Sequence, residues 1–156
     1  MNNLIRKIPA CFLVAVCLAV LSLNVPAQAD LEPLTIRTAD GREINYQVEI
    51  ANTDASRRRG LMYRKEMPSN HGMLLDFGAP SKVSIWMKNT FLPLDIIYID
   101  EDGVIAKIVT GATPLSTALM NSDTRVRAVL ELNAGQVDYH GVAAGDTVEH
   151  PAFSGQ

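Results

Sequence analysis

Two short stretches, Trp86-Met87-Lys88-Asn89-Thr90 and Pro93-Leu94-Asp95-Ile96, set reactive side chains among strongly apolar neighbours. Lys88 offers a cation, Asp95 a carboxylate, and Asn89 and Thr90 groups that donate and accept hydrogen bonds. Trp86 adds a large flat surface. Such a grouping suits a small carboxylate, phosphate or sugar. The flanks, Val83-Ser84-Ile85 and Ile96-Ile97-Tyr98-Ile99, read as buried strands. Polar groups this close to an interior must be hydrogen-bonded, or each costs about 1–3 kcal/mol. The plainer reading makes the block scaffold: Lys88 and Asp95 form an ion pair or cap backbone groups, and Trp86 is a core residue.

A second chemistry is soft-metal binding. His71, with Met62, Met67 and Met87, supplies the imidazole and thioether donors that suit copper(I) in an exported protein. Methionine is more often an adaptable core filler, and His140 and His150 lie far along the chain, so no metal and no cofactor is expected.

The N-terminus bears on this. Arg6 and Lys7 precede an uncharged apolar run, Cys11 to Leu23, and Ala27-Gln28-Ala29 follows as a small-x-small cleavage signal. The run is shorter than the roughly 20 residues of a membrane span. Residues 1–29 therefore read as a cleaved signal peptide, which makes the mature protein periplasmic or extracellular with no stable membrane anchor. Cys11 and Cys17 leave with it, so the mature chain has no disulfide and no thiol nucleophile. Fourteen Lys and Arg less Arg6 and Lys7 leave twelve against seventeen Asp and Glu, a net charge near −5. That sign argues against a general affinity for nucleic acid or anionic lipid.

Several elements must position the central block. Leu34, Ile36, Thr38 and then Ile44, Tyr46, Val48, Ile50 alternate across Asp40-Gly41, a strong hairpin signal. Thr53 is a good N-cap, Asp54 suits the first turn of a short helix, and Arg57, Arg58 and Arg59 suit its last. Gly60 stands where a left-handed C-cap is expected. The three arginines also invite an anion, although a solvated helix end accounts for them. Strands are expected over Met73–Phe77, Val83–Met87, Leu94–Ile99, Val104–Val109 and Val126–Leu132, with a long loop over Gly111–Thr124. A helical turn over Ala134–Tyr139 and a last strand after Gly145-Asp146 complete the domain, and 151–156 is tail. No βαβ alternation and no glycine-rich phosphate loop is evident. The expected fold is mainly β (α+β): one rolled-up, barrel-like antiparallel or mixed sheet of about eight short strands with two short helices, spanning 30–150.

Arg59-Gly60-Leu61-Met62, Gly72-Met73-Leu74-Leu75, the two central stretches, Val129-Leu130-Glu131-Leu132 with Ala134-Gly135, and Gly145-Asp146 fall in this order. Together they resemble the motif series of the domain of unknown function family 192, a small bacterial and archaeal domain, often exported. The resemblance runs from about Leu34 to Glu149 and brings no biochemical activity with it. It places Arg59 and Glu131 in motifs, so Arg59 alone of the three arginines joins the site. Glu131 with Lys88 and Asp95 could do acid–base work if burial moved their pKa values toward neutrality. The expected ligand set is Arg59, Trp86, Lys88, Asn89, Thr90, Asp95 and Glu131. The leading function is a binding or accessory module for a small polar or anionic ligand or another exported protein. Acid–base catalysis and copper(I) binding are the alternatives.

Overall fold

Strand β1 (Leu31–Arg37) and strand β2 (Glu43–Ala51) form the expected antiparallel hairpin, with Ile36 opposite Ile44 and Leu34 opposite Tyr46. The computed structural model describes residues 30–153; the signal-peptide reading of 1–29 and the end of the tail, 154–156, lie outside the described residues. Gly41 turns the hairpin at φ 85°, a conformation that favours glycine.

Helix α1 (Asp54–Arg59) begins on Thr53, whose side chain accepts from the Ser56 amide while Ser56 closes the capping box. Its C-cap departs from expectation. Gly60 has φ 45° and ψ −136°, outside the left-handed helical region, and the chain leaves the helix extended rather than curling back. Strand β3 (His71–Ser81) then runs parallel to β2, with Val48 beside Gly72 and Ile50 beside Leu74. The chain thus contains one strand–helix–strand crossover, contrary to the expectation of none. A helix of six residues is too short to show an apolar period, and none of its residues is buried.

The remaining strands are β4 (Ser84–Ile85), β5 (Leu94–Ile99), β6 (Ile105–Ala112), β7 (Met120–Asn121), β8 (Val126–Asn133) and β9 (Thr147–Glu149), with helix α2 (Gln136–His140) between the last two. Seven of them make one mixed sheet, curled into a half-barrel, in the order β6-β5-β8-β3-β2-β1-β9, and β4 pairs with β7 apart from it. The strand expected over Val83–Met87 is paired only at Ser84–Ile85, and the loop expected from Gly111 is shortened at both ends by β6 and β7. Pro151–Phe153 is a short 3-10 turn with Ala152 and Phe153 against the core, not loose tail.

Two apolar clusters cover the two faces of the sheet. Every residue of β5 is buried. Ile97 and Ile99 enter the first cluster with Leu34, Tyr46, Leu130 and Leu132; Ile96 and Tyr98 enter the second with Met73, Leu75, Met87 and Val129. This is why the strand reads as a continuous apolar run rather than an alternation. The central strand β8, between β5 and β3, carries Glu131 on the second face, opposite Ile96 and Met73. Asp95 is opposite Leu132 and belongs to the first.

Candidate functional site

The central block is a junction of loops. Tyr63 donates its amide to Asn89 O (2.9 Å), Leu115 to Thr90 O (3.0 Å) and Met87 to Ser116 O (2.9 Å). Met87 is buried, as are Val83 and Ile85, so the alternate residues Ser84, Trp86 and Lys88 face outward. Trp86 is 44% exposed, which overturns its reading as a core residue. Thr90 is buried, its hydroxyl 3.4 Å from Lys88 O. Asn89 sits at φ 59°, a conformation asparagine tolerates, with Nδ2 3.9 Å from Met62 Sδ.

Lys88 and Asp95 are not paired. The Lys88 ammonium lies 5.2 Å from the Trp86 ring centroid. Asp95, fully buried on the other face of the sheet, accepts from the Gly111 amide (2.9 Å) and the Val137 amide (3.0 Å), tying β6 and α2 to β5. It caps backbone groups, and the ion-pair reading is corrected: the pleat of β5 turns Asp95 away from the surface that carries Lys88. The Lys88–Asp95–Glu131 constellation is divided the same way, since Asp95 and Glu131 occupy opposite faces.

What the fold does bring together is a cleft of about 360 Å³ between α1 and β4. Leu61, Met62, Leu75, Phe77, Ile85 and Trp86 supply apolar wall; Asp54, Arg57, Arg58 and Arg59 come from α1; Gly60, Ser84, Thr90 and Glu131 complete it. Four of the seven expected residues, Arg59, Trp86, Thr90 and Glu131, line this one space. Lys88 adjoins it through Trp86, Asn89 through Met62, and Asp95 takes no part. Missed by the reading of the sequence were the apolar residues of β3, brought in by the parallel crossover, and Arg58.

Glu131 is the unusual member. It is 6% exposed, and its Oε2 is buried without a hydrogen-bond partner. Burial pushes its carboxyl up to about 7, with the Arg64 charge pulling it back down. Arg64 cannot quench it fully, because both its terminal nitrogens are engaged by Glu49, Nη2 at 2.6 Å from Oε2. A buried acceptor left unmade is costly unless a ligand or solvent group meets it. The arginines differ among themselves. Arg57 donates to Asn52 O (2.8 Å) and Asp76 O (2.7 Å), pairs with Asp54 and lies over the Phe77 ring at 5.2 Å. Arg58 and Arg59 are exposed at the cleft and form no ion pair among the described residues.

A larger, open hollow of about 520 Å³ lies across the molecule, bounded by Asn45, Tyr46, Gln136, Tyr139 and His140 among others. It holds none of the expected residues and no buried unpaired group, so the α1–β4 cleft is the stronger candidate. For metal, His71 opens β3 half-buried, Met73 and Met87 are inside the second cluster, Met67 packs at its margin, and Met62 lines the cleft. No group of three or more His, Cys, Asp or Glu suited to a metal ion occurs among the described residues. No helix among them is long and apolar enough to cross a membrane.

Two solved structures are similar. A Sinorhizobium meliloti 1021 protein, provisionally described as a transcription regulator, is 46% identical, with a TM-score of 0.77 over 78% of this chain and 95% of its own. A protein of unknown function from Novosphingobium aromaticivorans DSM 12444 is 32% identical, with a TM-score of 0.74 over 77% of this chain and 85% of its own. No curated protein matches the chain. The family model for DUF192, described as uncharacterized ACR, matches residues 35–150, and on that match the chain belongs to the DUF192 family.

Proposed function

We propose that this domain is a binding module for a small amphipathic ligand carrying an anionic or polar group, held in the α1–β4 cleft, in a protein exported after removal of residues 1–29. The observation that carries the reading is the buried, unpartnered Glu131 Oε2 in a cleft lined by apolar side chains, three arginines, Asp54, Ser84 and Thr90. The apolar wall would take the ligand body, and Arg58, Arg59, Thr90 and Glu131 its anionic or polar group. The volume is in the range of small-ligand sites.

Trp86 is the chain's one tryptophan and lines the cleft, so its emission reports occupancy. Screening small aromatic and aliphatic carboxylates against this emission should find saturable changes accompanied by a raised melting temperature. Glu131→Ala, if it melts cooperatively, should abolish them. A screen in which no amphipathic compound moves either signal removes this reading.

A second reading, attachment to another exported protein, is favoured by one feature. Tyr63 (61% exposed) and Phe91 (47% exposed) stand edge to face at 6.4 Å, beside the cleft in sequence. Serine at both positions should leave ligand binding intact and abolish such an attachment; an attachment that survives the change counts against this surface.

A further inference from the structure

We propose that an anion entering the α1–β4 cleft is bound together with one proton, taken from solvent onto Glu131, so that a neutral carboxyl donates its hydrogen bond to the anion. The inference rests on the cleft being a ligand site and specifies the charge state in which that site works.

The geometry carries it. Glu131 Oε2 is buried, lacks a hydrogen-bond partner and borders the cleft, and a Cβ placed on Gly60 would stand 3.7 Å from it. From β3 and β5 come Met73 and Ile96, which are apolar, and Tyr98, whose hydroxyl is spent on Met120 O at 2.7 Å. From the segment after α1 comes Arg64, held at both terminal nitrogens by Glu49 of β2. From α1 come Asp54 and Arg57, paired with each other, and Arg58 and Arg59 at the mouth.

The mouth therefore favours an anion, while the inner end presents a carboxyl with no cation dedicated to it. Two negative groups meeting in a partly desolvated cleft repel strongly. A proton on Glu131 turns that repulsion into a charge-assisted O–H···O bond. Burial already holds the Glu131 carboxyl up to about 7, so protonation near neutral pH requires little further shift. A cationic ligand would instead have to pass the two uncompensated guanidinium groups to reach an acid that is half neutral.

The test uses phenylacetate, ionised throughout pH 6–9, with phenylacetamide as its uncharged counterpart, read by Trp86 emission and calorimetry on the mature protein. Phenylacetate affinity is expected to fall about tenfold per pH unit above about pH 7, the signature of one linked proton. Glu131→Gln should bind with no such dependence. Titration of the wild type at pH 8 in two buffers of different ionisation heat should show close to one proton taken up, a result that needs no variant to fold. Phenylacetate affinity constant across pH 6–9, or zero proton uptake at pH 8, overturns the proposal and leaves the cleft reading standing. Binding of phenylacetamide in preference to phenylacetate at pH 6, where Glu131 is mostly protonated, does the same. If neither probe nor any other small carboxylate or amide binds at any pH, the cleft reading falls, and this inference with it.

Discussion

Gly60 faces Glu131 across the inner end of the cleft, near enough that a methyl group on its Cα would stand 3.7 Å from the carboxyl oxygen Oε2. The same glycine ends α1 at φ 45°, ψ −136°, a backbone conformation that side chains rarely adopt. Helix end and ligand site thus meet in one residue. Gly60→Ala is expected to lose about 1–3 kcal/mol from backbone strain and to weaken occupancy of the cleft beyond what that loss explains. Denaturant unfolding and the Trp86 titration on the same preparation check both parts.

The pH dependence of stability follows from Glu131. Its carboxyl titrates near 7 in the folded chain against 4.5 ordinarily, because burial disfavours the charge. Between these values the folded state keeps a proton that the unfolded chain has released. The stabilisation is therefore full below about pH 4.5 and is lost as pH rises through 7. The span corresponds to something on the order of 3 kcal/mol. Glu131→Gln removes the titration, so its stability relative to wild type should climb from pH 4.5 to 7 and level off above 8 in urea unfolding. A difference that stays flat with pH would contradict the assignment.

Lys88 and Asp95 should behave independently. Lys88→Met touches an exposed contact with Trp86 and is expected to change stability by less than about 0.5 kcal/mol. Asp95→Asn sets an amide N–H₂ against one of two buried backbone donors, Gly111 or Val137, and should cost about 1–3 kcal/mol. The double variant should equal the sum within about 0.5 kcal/mol. Strong coupling in that cycle would mean the pair forms after all.

The arginines of α1 divide into one that holds the fold and two that face the ligand. Arg57 satisfies two carbonyls and covers Phe77. Arg57→Ala is expected to destabilise by about 1–3 kcal/mol. Arg58→Ala and Arg59→Ala should leave the melting temperature nearly unchanged and weaken carboxylate binding, more so at low salt. Thermal melts beside titrations at two ionic strengths separate the groups.

Much of the fold was legible because hairpins are local: Asp40-Gly41 between two alternating runs pairs β1 with β2, and the all-apolar run of β5 announces a strand covered on both faces. The outward position of Trp86 was also readable, since burying Ile85 and Met87 in a two-residue period leaves Trp86 and Lys88 outside. Of the two readings the sequence allowed for Trp86, ligand surface or core, this period favours the first. Three things were not readable. The parallel crossover from β2 to β3 rests on α1, too short to show a period. The opposite facing of Asp95 and Glu131 depends on how β5 and β8 pair, a register set by partners dozens of residues apart. The isolation of Glu131 Oε2 depends on β3, β5, α1 and the Arg64–Glu49 pair all closing around it, which no local pattern encodes.

The central claim, that the α1–β4 cleft is where this domain binds its ligand, is tested most directly by mapping backbone amide NMR shifts during a phenylacetate titration near pH 6. The predicted result is a saturable set confined to Gly60–Met62, Leu75–Phe77, Ser84–Trp86, Thr90 and Glu131, with the Trp86 indole among the largest. Saturable shifts centred instead on Asn45, Tyr46, Gln136, Tyr139 and His140 would move the site to the open hollow and contradict the account.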